Sequence, residues 1–160
     1  MNGRNSPEGA LAALGLVLPP AAAPVANYVA CARTGALLVV SGQLPFGADG
    51  RIDPAFLGKL GAGVDEAAGA AAARQCALNV LAQARASLGG LDRVARVARL
   101  GGFINCMPDF GPLAAVMNGA SDLMVAVFGD AGRHARATVG VAQLPLNACV
   151  EVEALFEVAE

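Results

Sequence analysis

The sequence predicts an α+β fold: one mixed β-sheet with two main helices packed on one face. Three observations lead there. Two long stretches carry apolar residues at helical spacing, whereas the remaining apolar runs are short and bounded by turn residues. The element order, a short helix, β-β, a helix, β, a helix and β-β, packs most simply as one mixed sheet covered on one side. Hydrophobic residues make up 56% and charged residues 15% of the 160 residues, too little polar surface to cover a monomer. The uncovered sheet face is therefore expected to be apolar and buried in an oligomer. The length fits one domain, 1–160, with residues 1–20 as an N-terminal helical extension.

Ser6-Pro7-Glu8 reads as a helix start, with serine as cap and proline first inside. Arg4 and the apolar run Ala10 to Leu18 also resemble a signal peptide, but Glu8 beside that run favours a short amphipathic helix. After Pro19-Pro20, Tyr28 to Arg33 and Ala36 to Gly42 read as strands joined at Thr34-Gly35. Residues 46 to 63 are a glycine-rich loop with a turn at Asp49-Gly50 and room for a short strand near Arg51-Ile52. Val64 to Leu88 is a long helix with Ala77, Leu81, Ala84 and Leu88 on one face, stopped by Gly89-Gly90. Arg93 to Met107 is a long strand. Asp109 and Pro112 open a second helix, striped by Leu113, Val116, Ala120, Leu123 and Val127, that stops at Gly129.

Composition excludes several functions. A net charge of −2 and a pI near 5.3 give no general attraction to nucleic acid. No basic run interleaved with aromatics appears. Cys31, Cys76, Cys106 and Cys149 form no CxxC pair, and His134 is the only histidine, so no metal site is expected. The cysteines lie among apolar residues, which suits reduced, buried thiols in a cytoplasmic protein. Asp49 and Asp53 lack the closing glutamate of a calcium loop. Gly61-Ala62-Gly63 lacks a leading strand and is weak evidence for nucleotide binding. No apolar run approaches the ~20 residues that span a bilayer.

Ala135 to Glu153 carries the most chemistry. It reads as two strands joined by a Pro-Asn turn, one holding Arg136 within an apolar run and the other holding Glu151 between valines. Such charges are costly there unless paired, hydrated or holding a ligand. A surface hairpin with solvated charges, or an Arg136–Glu151 bridge across it, is the plain alternative. Asn118, on an apolar helix, reads as a bridge to buried backbone, and Ser41 as a turn residue. His134 reads as a loop residue.

Three blocks resemble the RidA family, also called YjgF or L-PSP endoribonuclease-like. They are Tyr28-Val29 with Leu38-Val-Val-Ser-Gly-Gln-Leu-Pro45, Asn118 in the second helix, and Arg136 through Leu144-Pro145 to Val150-Glu-Val-Glu153. The resemblance covers about Tyr28 to the C-terminus. It implies a chorismate-mutase-like fold, a homotrimer with clefts between subunits, and no cofactor. It also implies hydrolysis of enamines and 2-imino acids, such as 2-aminoacrylate, to 2-oxo acids and ammonia. Arg136 then clamps the substrate carboxylate and Glu151 directs water or relays a proton. Tyr28, Ser41, Gly42, Asn118 and Thr138 line the substrate site. A cysteine of many members is Thr138 here, and a proline or small residue is His134. The long 46–63 loop and the N-terminal helix resemble a longer branch of the family. Non-catalytic carboxylate binding and RNA cleavage are the rival activities.

Overall fold

The computed structural model describes residues 6–24 and 26–159, so residues 1–5 of the expected extension lie outside the described chain. Ser6 caps α1 (Pro7–Ala13) by accepting the Gly9 N–H at 3.0 Å. The helix ends before the apolar run does, near Gly15 with its positive φ of 67°. β1 (Cys31–Thr34) and β2 (Leu37–Gln43) form the expected hairpin. Tyr28, expected in the first strand, lies in a bend before it. The 46–63 segment is mostly loop, with an isolated bridge from Phe46 to Ile52 where a short strand was expected. It ends in two short parallel strands, β3 (Lys59–Leu60) and β4 (Gly63–Val64).

Asp65 caps α2 (Glu66–Leu88), its carboxylate accepting the Ala68 N–H at 2.8 Å, and Gly89 closes it at φ 79°. Next come β5 (Val94–Asn105), α3 (Leu113–Phe128), β6 (Ala135–Val141) and β7 (Val150–Val158). Asp109 does not cap α3; Pro112 stands at the cap position without a side-chain hydrogen bond.

The five-stranded sheet has the order β1-β2-β7-β5-β6. β6 runs parallel to β5, reached through α3, and β7 runs antiparallel to both β5 and β2. The Ala135–Glu153 segment is therefore not a hairpin. β5 lies between its two strands, because a helical crossover from β5 delivers β6 to the far edge of the sheet. The connection turns through Leu146 and Asn147, at φ 56° and 60°.

One sheet face packs on α2 and α3 through Leu38, Val40, Leu100, Ile104, Val152 and Phe156. The helices cross closely: a Cβ on Gly119 of α3 would stand 1.9 Å from the Ala70 carbonyl oxygen of α2. With the 129–132 turn, α3 forms a 20-residue segment of mean hydropathy 1.2, long and apolar enough to cross a membrane. This corrects the expectation that no run reaches that length. Its apolar stripe, Val116, Met117, Ala120, Leu123, Met124 and Val127, is buried within this fold. The opposite sheet face is only partly apolar. Val39 and Val139 are 44% and 47% exposed there. The register also places Glu151 and Glu153 on that face, and Arg99 pairs with Glu153 at 2.9 Å.

Asn105, fully buried at the end of β5, ties the loops at that end together. Its amide donates to the Gly58 and Ala148 carbonyls, and its oxygen accepts from Lys59 Nζ at 2.6 Å.

Candidate functional site

Arg136 is opposite Leu100 in the β5–β6 register and therefore faces the helices. Its Nη1 donates to Asn118 Oδ1 at 2.9 Å and to Ser121 Oγ at 3.1 Å. These partners share one face of α3 because they are three residues apart. Nη1 carries both hydrogen bonds, and the Nε and Nη2 donors meet no acceptor among the described residues. No carboxylate there lies within ion-pair distance of this half-buried guanidinium. Thr138 follows on the same face, and its Oγ1 is buried without a hydrogen-bond partner. The arrangement offers a planar cation with an unused two-donor edge, suited to a carboxylate.

Glu151 pairs in register with Phe103 of β5 and faces the other side of the sheet. Burial, and secondarily the Glu153 charge, raise its carboxyl above the ordinary 4.5, which suits proton exchange. Its carboxylate lies over Gly42, where a Cβ would come within 2.0 Å of Oε1. Glycine is required there for that approach. Ser41, expected in a turn, lies within β2, and its Oγ donates across to the Val29 carbonyl at 2.7 Å. Tyr28 is 48% exposed beside this segment.

The predicted residues thus fall into two groups. Arg136, Asn118 and Thr138 sit at the β6 edge on the helix side, while Glu151, Gly42 and Ser41 sit at β2 and β7, with Glu151 and Gly42 meeting on the open side. An Arg136–Glu151 bridge is excluded within one chain, since β5 separates their strands and the sheet separates their side chains. Asn118 serves the guanidinium rather than buried backbone.

Residues 8–158 match the family model described as "YjgF/chorismate mutase-like, putative endoribonuclease". The chain belongs to the YjgF/RidA family. It is 52% identical over 145 residues to Protein TCP17 of Trypanosoma cruzi, covering 90% of this chain and 89% of that one. Protein Atu1372 of Agrobacterium tumefaciens, a solved structure of unknown function, is 47% identical with a TM-score of 0.88, covering 96% of this chain and 92% of that chain. A Shewanella oneidensis structure described in the same endoribonuclease terms is 36% identical with a TM-score of 0.92, covering 96% and 100%. The chorismate-mutase-like α+β fold expected from the resemblance is the observed one.

Within this YjgF/RidA fold, sequence reasoning missed Ser121. The readable signal was Asn118 and Ser121 at i, i+3 on an otherwise apolar helix. His134 lies in the loop before β6, as expected, and its Nε2, 2.9 Å from Ser121 Oγ, brings it into the Arg136 surroundings. Glu153, on the open face beside Glu151, pairs with Arg99 at 2.9 Å. Cys76 and Cys149 are buried, and burial pushes the Cys149 thiol up to about 11, whereas Cys31 and Cys106 are only half-buried; all four are free. A cavity of about 640 Å³ lies between the 45–56 loop and Gln75, lined by Asp49, Arg51 and Asp53. It contains none of the predicted residues, and Arg136 and Glu151 line neither it nor the cavities beside Cys106 and beside Pro20.

Proposed function

We propose that this YjgF/RidA protein hydrolyses small 2-imino acids and their enamine tautomers to 2-oxo acids and ammonia, in clefts between the subunits of a homotrimer. One observation carries the reading: Arg136 is a half-buried cation with no carboxylate partner among the described residues and an unused donor edge. A substrate carboxylate supplies the missing charge in bidentate form. Thr138 Oγ1, buried without a partner, gives the ligand a further hydrogen-bonding atom beside it.

The water-directing group comes from a second copy. Glu151 and Gly42 on the open face of one subunit meet Arg136, Asn118 and Thr138 on the edge of the next. Glu151 accepts a proton from the attacking water as its oxygen bonds to the imine carbon, and the imine nitrogen takes up a proton. Collapse of the carbinolamine breaks the C–N bond and releases ammonia, leaving the 2-oxo acid. The substrate is intrinsically reactive, so orientation supplies most of the acceleration. Tyr28 covers the site from the segment before β1. No cofactor takes part.

An amino-acid oxidase generating 2-iminopropionate in situ tests this. The protein is expected to raise the rate of ammonia appearance above the spontaneous rate. An unchanged rate across a series of imino-acid side chains overturns the enzymatic reading and leaves a carboxylate-binding trimer. RNA cleavage, suggested by the family description, is disfavoured by the net charge of −2 and by a single histidine already engaged by Ser121 and Gly132.

A further inference from the structure

His134 immediately precedes β6, and both its ring nitrogens are engaged. Nδ1 lies 2.7 Å from the Gly132 carbonyl oxygen, and Nε2 lies 2.9 Å from Ser121 Oγ. A carbonyl oxygen only accepts, so the ring proton is on Nδ1. In the neutral ring Nε2 is then an acceptor, and the Ser121 hydroxyl donates to it. The hydroxyl hydrogen is thereby committed, and Ser121 Oγ turns a lone pair toward Arg136 Nη1 at 3.1 Å. The hydrogen bonds run in one direction: Arg136 to Ser121, Ser121 to His134, His134 to Gly132. The far end is anchored. Gly132 is buried so close to α3 that a Cβ would stand 2.2 Å from the Met124 carbonyl oxygen.

We infer that Ser121 and His134 are positioning residues that fix the Arg136 guanidinium with its Nε and Nη2 donors left for a ligand carboxylate. The inference rests on the carboxylate-clamp part of the proposed function. Asn118 alone gives Nη1 one acceptor, about which the planar group can still pivot. A second acceptor on the same nitrogen, itself oriented by a ring bound to backbone, removes that freedom before the ligand arrives. The Ser121–His134 spacing also fits a nucleophile and its base. The arginine hydrogen bond on Oγ draws electron density from the atom that would attack, so the geometry favours positioning.

A single histidine makes the test direct, because its ring nitrogens are the only imidazole signals in a long-range proton–nitrogen spectrum. The expected spectrum of the full chain at about neutral pH is that of the Nδ1–H tautomer. In Ser121→Ala the ring is expected to keep the Nδ1–H form, held by the Gly132 carbonyl, while the Nε2 resonance moves as it loses its hydroxyl donor. Binding of pyruvate, the carboxylate probe, is followed by calorimetry. Ser121→Ala is expected to weaken it about tenfold with the melting temperature unchanged, and Ser121→Thr to restore it. With an imino acid as substrate, the same loss appears in KM rather than kcat. A wild-type Nε2–H ring, or wild-type pyruvate affinity in Ser121→Ala, overturns the inference. Absence of turnover alongside an Nδ1–H ring and a Ser121-dependent affinity overturns the enzymatic proposal and leaves this one standing.

Discussion

Arg136 and Glu151 are both charged groups without an opposite charge among the described residues, but they differ in what their surroundings demand. Arg136 is held by oxygen acceptors on α3 and spends only one nitrogen on them. Arg136→Lys keeps the charge and loses the fork, so imino-acid turnover is expected to fall roughly tenfold through KM, with the assembly intact by light scattering. Equal activity would remove Arg136 as the clamp. At Glu151 burial disfavours the anion, so protons bind the folded chain more tightly than the unfolded one. Stability therefore falls as pH rises from 4.5, its unfolded value, through the raised folded value. Glu151→Gln is expected to melt above the wild type at about pH 7.5, with the gap closing near about pH 4, while turnover drops. A variant that melts lower at about pH 7.5 contradicts the burial argument. Gly42→Ala is expected to displace the flexible Glu151 carboxylate rather than the backbone, lowering turnover with little change in melting temperature.

At the scale of elements, the placement of the Arg136 guanidinium depends on how closely α2 and α3 approach. α2 is alanine-rich where it crosses α3, and Gly119 lets the Ala70 carbonyl come nearly to van der Waals contact with the α3 backbone. That contact fixes the depth of α3 over the sheet, and so the reach of Asn118 and Ser121 to Arg136. Gly119→Ala puts a methyl against backbone that cannot swing away. It is expected to cost about 1–3 kcal/mol in urea unfolding and to weaken carboxylate binding as α3 shifts. An unfolding midpoint equal to the wild type would show that the crossing has slack.

For the molecule as a whole, the open sheet face joins exposed Val39 and Val139 to the half-buried Glu151 and Phe103. In the proposed trimer, covering this face would complete each site and remove the apolar surface from water in one step. Light scattering at micromolar concentration is expected to give the trimer mass, and Val39→Asp to give a smaller species without activity. A stable wild-type monomer would end the inter-subunit site.

Some of this was determined by the chain's own pattern. The Ser6 cap, the hairpin about Gly35, the long β5 strand, both main helices and the inward-outward alternation of Val150, Glu151 and Val152 follow from local periodicity and turn chemistry, which act within a few residues. Arg136 and Asn118 were legible because charged and polar side chains stand out against apolar runs and match a family pattern, and Thr138 by its place two residues after Arg136, where many members carry cysteine instead. Only the tertiary structure decided that Ala135 to Glu153 is not a hairpin. Sequential strands with a plausible turn look alike whether they pair or straddle a third strand, and the choice rests on the crossover through α3. That choice put Arg136 and Glu151 on different faces. It also decided that Ser121 and His134, thirteen residues apart, meet beside Arg136, because no local rule reports what a helix face touches across a loop.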